Sequence, residues 1–100
     1  MSVDYRAVWA YGYLVDAEEH IINNACAEHG TIYCHIGNEY SGEVKYIISA
    51  KGLCEYADDF CEVRDSAMPE EVDAIRQTLK QITGKPPQTE PRSYLGLYIC

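Results

Sequence analysis

Residues 5–15, Tyr-Arg-Ala-Val-Trp-Ala-Tyr-Gly-Tyr-Leu-Val, sort their side chains by parity: Tyr5, Trp9, Tyr11 and Tyr13 on odd positions, Val8, Ala10, Gly12 and Leu14 on even ones. Successive side chains of a strand point to opposite faces of a sheet, so the segment predicts a strand with one aromatic face and one small, aliphatic face. A chain that opens on such a strand has to build a sheet and cover at least one side of it with a second layer.

The next segments supply that layer. Asp16-Ala-Glu-Glu19 carries an Asx residue followed three positions later by Glu, which predicts a helix start capped by Asp16. Ala17, Ile21, Ile22, Ala25 and Cys26 recur at helical spacing, and Gly30 supplies a left-handed stop. Thr31–Ile36 alternates again, residues 37–42 are turn-rich, and Val44–Ser49 is β-branched and aromatic, which together predict a hairpin. Residues 50–66 resist assignment, because Cys54, Tyr56, Phe60 and Val63 suit a strand, a helical turn or a packed loop. Pro69-Glu-Glu and the stripe Val72, Ile75, Leu79, Ile82 before Gly84 predict a second helix. Residues 85–91, with three prolines, read as an extended connector, and Ser93–Cys100 as a closing strand.

The order strand, helix, strand, strand, helix, strand is the split βαβ arrangement. It predicts a single α+β domain over residues 1–100, ferredoxin-like βαββαβ, with an antiparallel four-stranded sheet and two helices on one face; the alternative adds a fifth strand from residues 51–66. Aliphatic helix stripes call for an aliphatic sheet face, which assigns Val8, Ala10, Leu14, Ile32, Cys34, Ile36, Leu95, Leu97 and Ile99 to the helix side. The opposite side then collects Tyr5, Trp9, Tyr11, Tyr13, Tyr33, His35, Tyr94 and Tyr98. Val44, Tyr46 and Ile48 oppose Lys45, Ile47 and Ser49 without a decision between them. Large rings with polar tips suit a contact surface, so the aromatic side is expected to bind a partner.

Charge narrows the partner. A formal net charge of −8 disfavours a phosphate backbone and favours a basic protein surface. Only Arg6, Lys45 and Arg92 lie near the predicted sheet, and the basic-aromatic signature of an RNA-binding platform is absent, so no direct nucleic-acid contact is expected. Residues 54–73 hold eight of the 16 acids and a single base, Arg64. Glu55, Asp58, Asp59, Glu62 and Asp65 are therefore the expected acidic contacts, standing in for phosphates against a Lys/Arg groove.

Chemistry is expected to be sparse. The five cysteines lack close pairing, and His20, His29 and His35 form no ligand motif with Cys26, Cys34, Cys54 or Cys61, so neither metal nor cofactor is expected. No phosphate loop, nucleophile elbow or paired-carboxylate motif is present, and the protein is expected not to be an enzyme. The absence of a long apolar run and of a basic-then-apolar leader predicts a cytoplasmic protein with no membrane contact and free thiols.

Tyr11-Gly12-Tyr13, the closing Tyr94-Leu-Gly-Leu-Tyr98, the small size and the acidity resemble small bacteriophage-encoded accessory proteins, among them anti-CRISPR inhibitors. That resemblance implies a DNA-mimicking inhibitor that occupies the nucleic-acid groove of an effector in the host cytoplasm. Two other functions stay open: a self-associating module that covers its aromatic face in a homodimer, and a small ligand-binding domain or enzyme.

Overall fold

The structure, a computed structural model, describes residues 5–57 and 67–99. The elements are β1 (Tyr5–Val15), α1 (Glu19–His29), β2 (Ile32–Asn38), β3 (Glu43–Ser49), β4 (Cys54–Ala57), α2 (Pro69–Thr83) and β5 (Arg92–Ile99). The α+β class and the two helices match expectation. The sheet does not match the expected four antiparallel strands, because β4 adds a fifth strand and β2 meets β5 in parallel at Gly37–Tyr98 and Asn38–Ile99.

The strands run β3-β2-β5-β1-β4, and an additional antiparallel pairing joins β3 to β1. A circuit β1-β5-β2-β3-β1 results, so the sheet curls back on itself around a concave interior. β1 is the hub, opposing β5 over residues 5–12, β4 over 7–10 and β3 over 13–15. Tyr13 stands opposite Ile48 and Ala10 opposite Cys54, so three steps along β1 correspond to six along its partner. The three extra residues loop out around 50–53, where Gly52 takes φ +87° and Leu53 accepts the Tyr11 amide at 2.9 Å. An odd insertion flips parity: Ile48 faces the helices, whereas Cys54 and Tyr56 face the concave interior.

Curling also reverses the expected face assignment of β1 and β2, though not that of β5. Tyr13, Val15 and Ile48 pack with Ile22, Cys26, Leu53 and Ile75 in the cluster beneath the helices, joined by half-buried Trp9, Tyr11, Tyr33 and Tyr46. Val8, Ala10, Cys34 and Ile47 fill the concave interior with Ile36, Cys54, Tyr56, Tyr94 and Tyr98. Facing strands approach closely inside a tightly curled sheet, and only small side chains on β1 fit there. A Cβ at Gly12 would overlap the Ile48 carbonyl. The wider gap between sheet and helices, about 10 Å in layered folds, takes the β1 rings Tyr11 and Tyr13 instead.

The helices follow their stripes. α1 begins later than expected: Glu18 occupies its N-cap, without a side-chain cap bond, and Asp16 lies outside. Gly30 and Gly84 end α1 and α2 in the left-handed region, at φ 68° and 80°. At the start of α2, the Met68 amide donates to Glu71 Oε1 at 2.9 Å. The two helices meet through His29 Nε2 and Gln81 Oε1 at 2.7 Å, and Thr31, just past the end of α1, joins α2 through a buried hydroxyl pair, Thr31 Oγ1 to Thr78 Oγ1 at 2.7 Å. Arg76 pins the proline-rich connector, donating to Pro87 O at 3.2 Å and to Tyr13 Oη at 3.1 Å, while Tyr13 itself donates to Thr89 O at 2.7 Å.

Candidate functional site

Two surfaces emerge when the expected contact residues are placed on this frame. On the helix side of the sheet, running out from the cluster beneath the helices, a row crosses three strands: Glu55 of β4, Trp9 of β1 and Leu95 of β5 stand side by side. The next positions on that face are Ala7 opposite Leu97 and Tyr5 opposite Ile99. Leu95 is 78% exposed, Tyr5 65% and Leu97 55%. Leu95 and Leu97 do lie on the helix side, as their parity predicts, but neither α1 nor α2 covers them. Glu55 gives this apolar strip an acidic border, and the chain runs from there into the acid-rich segment.

The expected aromatic surface is therefore not assembled as a single face. Tyr5 is exposed and Trp9 half-buried at the strip. Tyr11 and Tyr13 pack beneath the helices, where Tyr13 is 6% exposed with its hydroxyl bound to the connector. Tyr94 and Tyr98 contribute instead to the concave interior. Among the expected acidic contacts, Glu55 is exposed on β4, and Asp58, Asp59, Glu62 and Asp65 lie outside the described residues.

The second surface centres on His35 of β2, which sequence reasoning placed only as one member of the aromatic parity. Its ring lies 5.1 Å from Tyr98, nearly stacked, 5.2 Å from Tyr46 and 5.7 Å from Tyr33. Glu19, at the start of α1, gathers the polar tips: Tyr33 donates to Oε2 at 2.9 Å, Tyr46 to Oε1 at 3.4 Å, and His35 Nε2 lies 3.4 Å from Oε2. On the other side of the imidazole, Nδ1 lies 3.3 Å from the Tyr56 hydroxyl, which also accepts the His35 amide at 2.6 Å. Because β2 pairs with β5 only at residues 37 and 38, that amide has no strand partner on this side, and Tyr56 fills the gap. The contacts fit one proton arrangement: Tyr56 donates to Nδ1, and Nε2–H donates to the Glu19 carboxylate.

The electrostatics favour a locked hydrogen-bond network over a reactive one. The Tyr33 hydroxyl bond, followed by the His35 contacts, holds the Glu19 carboxyl below its ordinary value. Burial pushes the Tyr56 phenol up to about 12; burial and then the Glu19 bond do the same for Tyr33. Both phenols are therefore protonated donors at neutral pH and poor nucleophiles. His35 also lines neither of two shallow grooves of about 310 and 320 Å³, one beside Cys26, Ala27 and Tyr33 and the other beside Leu14, Ile36, Lys45 and Tyr94. Among the described residues no group of three or more metal-ligating side chains converges, and no helix is long and apolar enough to cross a membrane.

No family model, curated protein or solved structure matches the chain.

Proposed function

We propose that the protein is a small, acidic, non-catalytic binding protein that inhibits a basic, nucleic-acid-handling partner, in the manner of a DNA-mimicking anti-CRISPR protein in the host cytoplasm. The observation that carries this reading is the row Glu55, Trp9 and Leu95: an apolar strip with an acidic border, leading into the segment richest in carboxylates. Such a surface offers both parts of a tight contact, charges that steer a basic partner and apolar side chains that hold it. Of the described carboxylates all are exposed except Glu71, which is half-buried, so the negative field reaches solvent. We also take the fold as a ferredoxin-like βαββαβ unit. The placement of β1 beside both β3 and β5, and of β2 beside β3, supports this, with β4 and the short β2–β5 contact as additions.

The test is inhibition of target-DNA binding by guide-loaded Cas effectors, followed by mobility shift at low and high salt. The wild type should displace DNA from its effector, less strongly as salt rises, and the triple variant Asp58→Lys, Asp59→Lys, Glu62→Lys should lose the effect while keeping its circular dichroism spectrum. Equal inhibition by wild type and triple variant would remove the mimicry, and DNA binding untouched across a panel of effectors would remove the class of partner. The exposure of Leu95 and Leu97 favours a second reading, self-association through the same strip. Light scattering separates the two, since a homodimer built on the strip would dissociate in Leu95→Glu.

A further inference from the structure

We infer that Cys34 and Cys54 form a redox-responsive dithiol, which a low-molecular-weight disulfide converts into an intramolecular disulfide tying β2 to β4. Sequence spacing conceals the pair, because the two thiols are twenty positions apart and belong to no redox motif. The fold brings them together. Cys34 is fully buried on the concave side of β2, and Cys54, at the start of β4, packs half-buried against the same cluster. Cys54 points there only because of the three residues looped out before it; with an even insertion it would face the helices. Both belong to the concave cluster where β2 and β4 touch, and each thiol shifts the proton affinity of the other. A disulfide of about 2.05 Å between them would hold β4 against β2 across that cluster. Cys26, the remaining described thiol, lies in the separate cluster under the helices.

The environments of the two sulfurs divide the labour. Interaction with Cys54, reinforced by burial, raises the Cys34 thiol, while the same interaction lowers Cys54, so Cys34 keeps its proton and Cys54 is the readier thiolate. Cys54 is also the more accessible of the two. In the first step its thiolate attacks one sulfur of the small disulfide and expels one small thiolate, which takes up the proton Cys54 lost. In the second, Cys34 releases its proton and attacks the Cys54 sulfur of the mixed disulfide, and the second small thiol leaves. Two protein S–H bonds and one S–S bond break, one protein S–S bond and two S–H bonds form, and the protein loses the two electrons that the small disulfide gains. The new bond fixes β4, the strand from which the acid-rich segment departs.

Oxidised glutathione is the probe. The full chain is incubated with it, alkylated and digested with trypsin and Glu-C, which cut at Glu28 between Cys26 and Cys34 and at Glu55 between Cys54 and Cys61. The expected result is loss of two of the five thiols and a Cys34–Cys54 cross-linked peptide. Cys34→Ala should stop at a glutathionyl group on Cys54, and Cys54→Ala should leave Cys34 unmodified, with circular dichroism reporting whether each variant is folded. A disulfide that joins any other pair in the wild type overturns the inference, and so does a chain that keeps all its thiols; neither outcome depends on the variants.

Discussion

Gly12→Ala is the sharpest perturbation of the curled sheet. The added methyl would project into the concave interior and overlap the Ile48 carbonyl, with Ser49 Cα close behind. Both obstacles are main chain, held by the β1–β3 pairing of Tyr13 with Ile48, so no side-chain rotation relieves the clash. Overpacking of this kind costs about 1–3 kcal/mol, and an immovable obstacle places it at the upper end. Against this, replacing glycine lowers the entropy of the unfolded chain and returns about 0.4–1 kcal/mol. The net loss is about 2 kcal/mol. With a urea m-value of about 1–1.5 kcal/mol/M for a domain of this size, the midpoint should fall by roughly 1.5 M. Gly96→Ala is the internal control: its Cβ would meet the end of the flexible Ile36 side chain, which can turn aside, so the loss should stay under about 1 kcal/mol. Equal urea midpoints for wild type and Gly12→Ala would refute the close approach of β1 and β3, and with it the closed circuit of strands.

Three further outcomes follow from the polar network. Tyr56→Phe removes the acceptor of the His35 amide and should cost about 1–3 kcal/mol, with accelerated hydrogen exchange at that one amide; an unchanged exchange rate would show that the amide has another partner. Thr78 donates to Ala74 O at 2.8 Å, so the Thr31 hydroxyl must be the donor in their shared bond. Thr78→Val should therefore cost more than Thr31→Val, and the double variant should cost less than the two together by about 1 kcal/mol in a denaturation cycle. Tyr33 and Tyr56 titrate near 12 in the folded chain against 10.0 for an ordinary tyrosine. Their contribution is complete below pH 10 and is lost as pH rises through 12, because deprotonation is easier in the unfolded state. Tyrosinate absorbance should show a late phase that shrinks in Tyr33→Phe and in Tyr56→Phe; phenols that all ionise together near pH 10 would contradict the buried hydrogen bonds.

Local signals made most of the elements legible. Period-two alternation marked β1, and the Ile75–Leu79–Ile82 stripe with Gly84 marked α2, because each depends on its own residues and not on distant partners. Which face of β1 the helices cover was not legible, since alternation fixes that two faces exist but not which one is concave. Gly12 was the available clue: a sheet position without Cβ marks a close backbone approach, and here the approach comes from β3 and not from a helix. β4 was legible only as an alternative, a fifth strand from residues 51–66, because the looped-out residues at 50–53 break the period just where the strand resumes on the opposite parity. The His35 cluster draws on α1, β2, β3, β4 and β5, and no spacing along a single element announces it. The acid-rich stretch was plain from composition, whereas the bare leucines of β5 were not, because alternation cannot tell where a covering helix ends.

The fold turns on one placement: Tyr11 and Tyr13 of β1 lie beneath the helices, and Val8 and Ala10 lie inside the curled sheet. A nuclear Overhauser spectrum of a methyl-labelled sample tests it directly. The Tyr11 and Tyr13 ring protons should show cross-peaks to methyls of α1 and α2, and the Val8 and Ala10 methyls to the rings of Tyr56, Tyr94 and Tyr98. Cross-peaks from Val8 and Ala10 to the helix methyls, with Tyr11 and Tyr13 seeing only solvent, would contradict it.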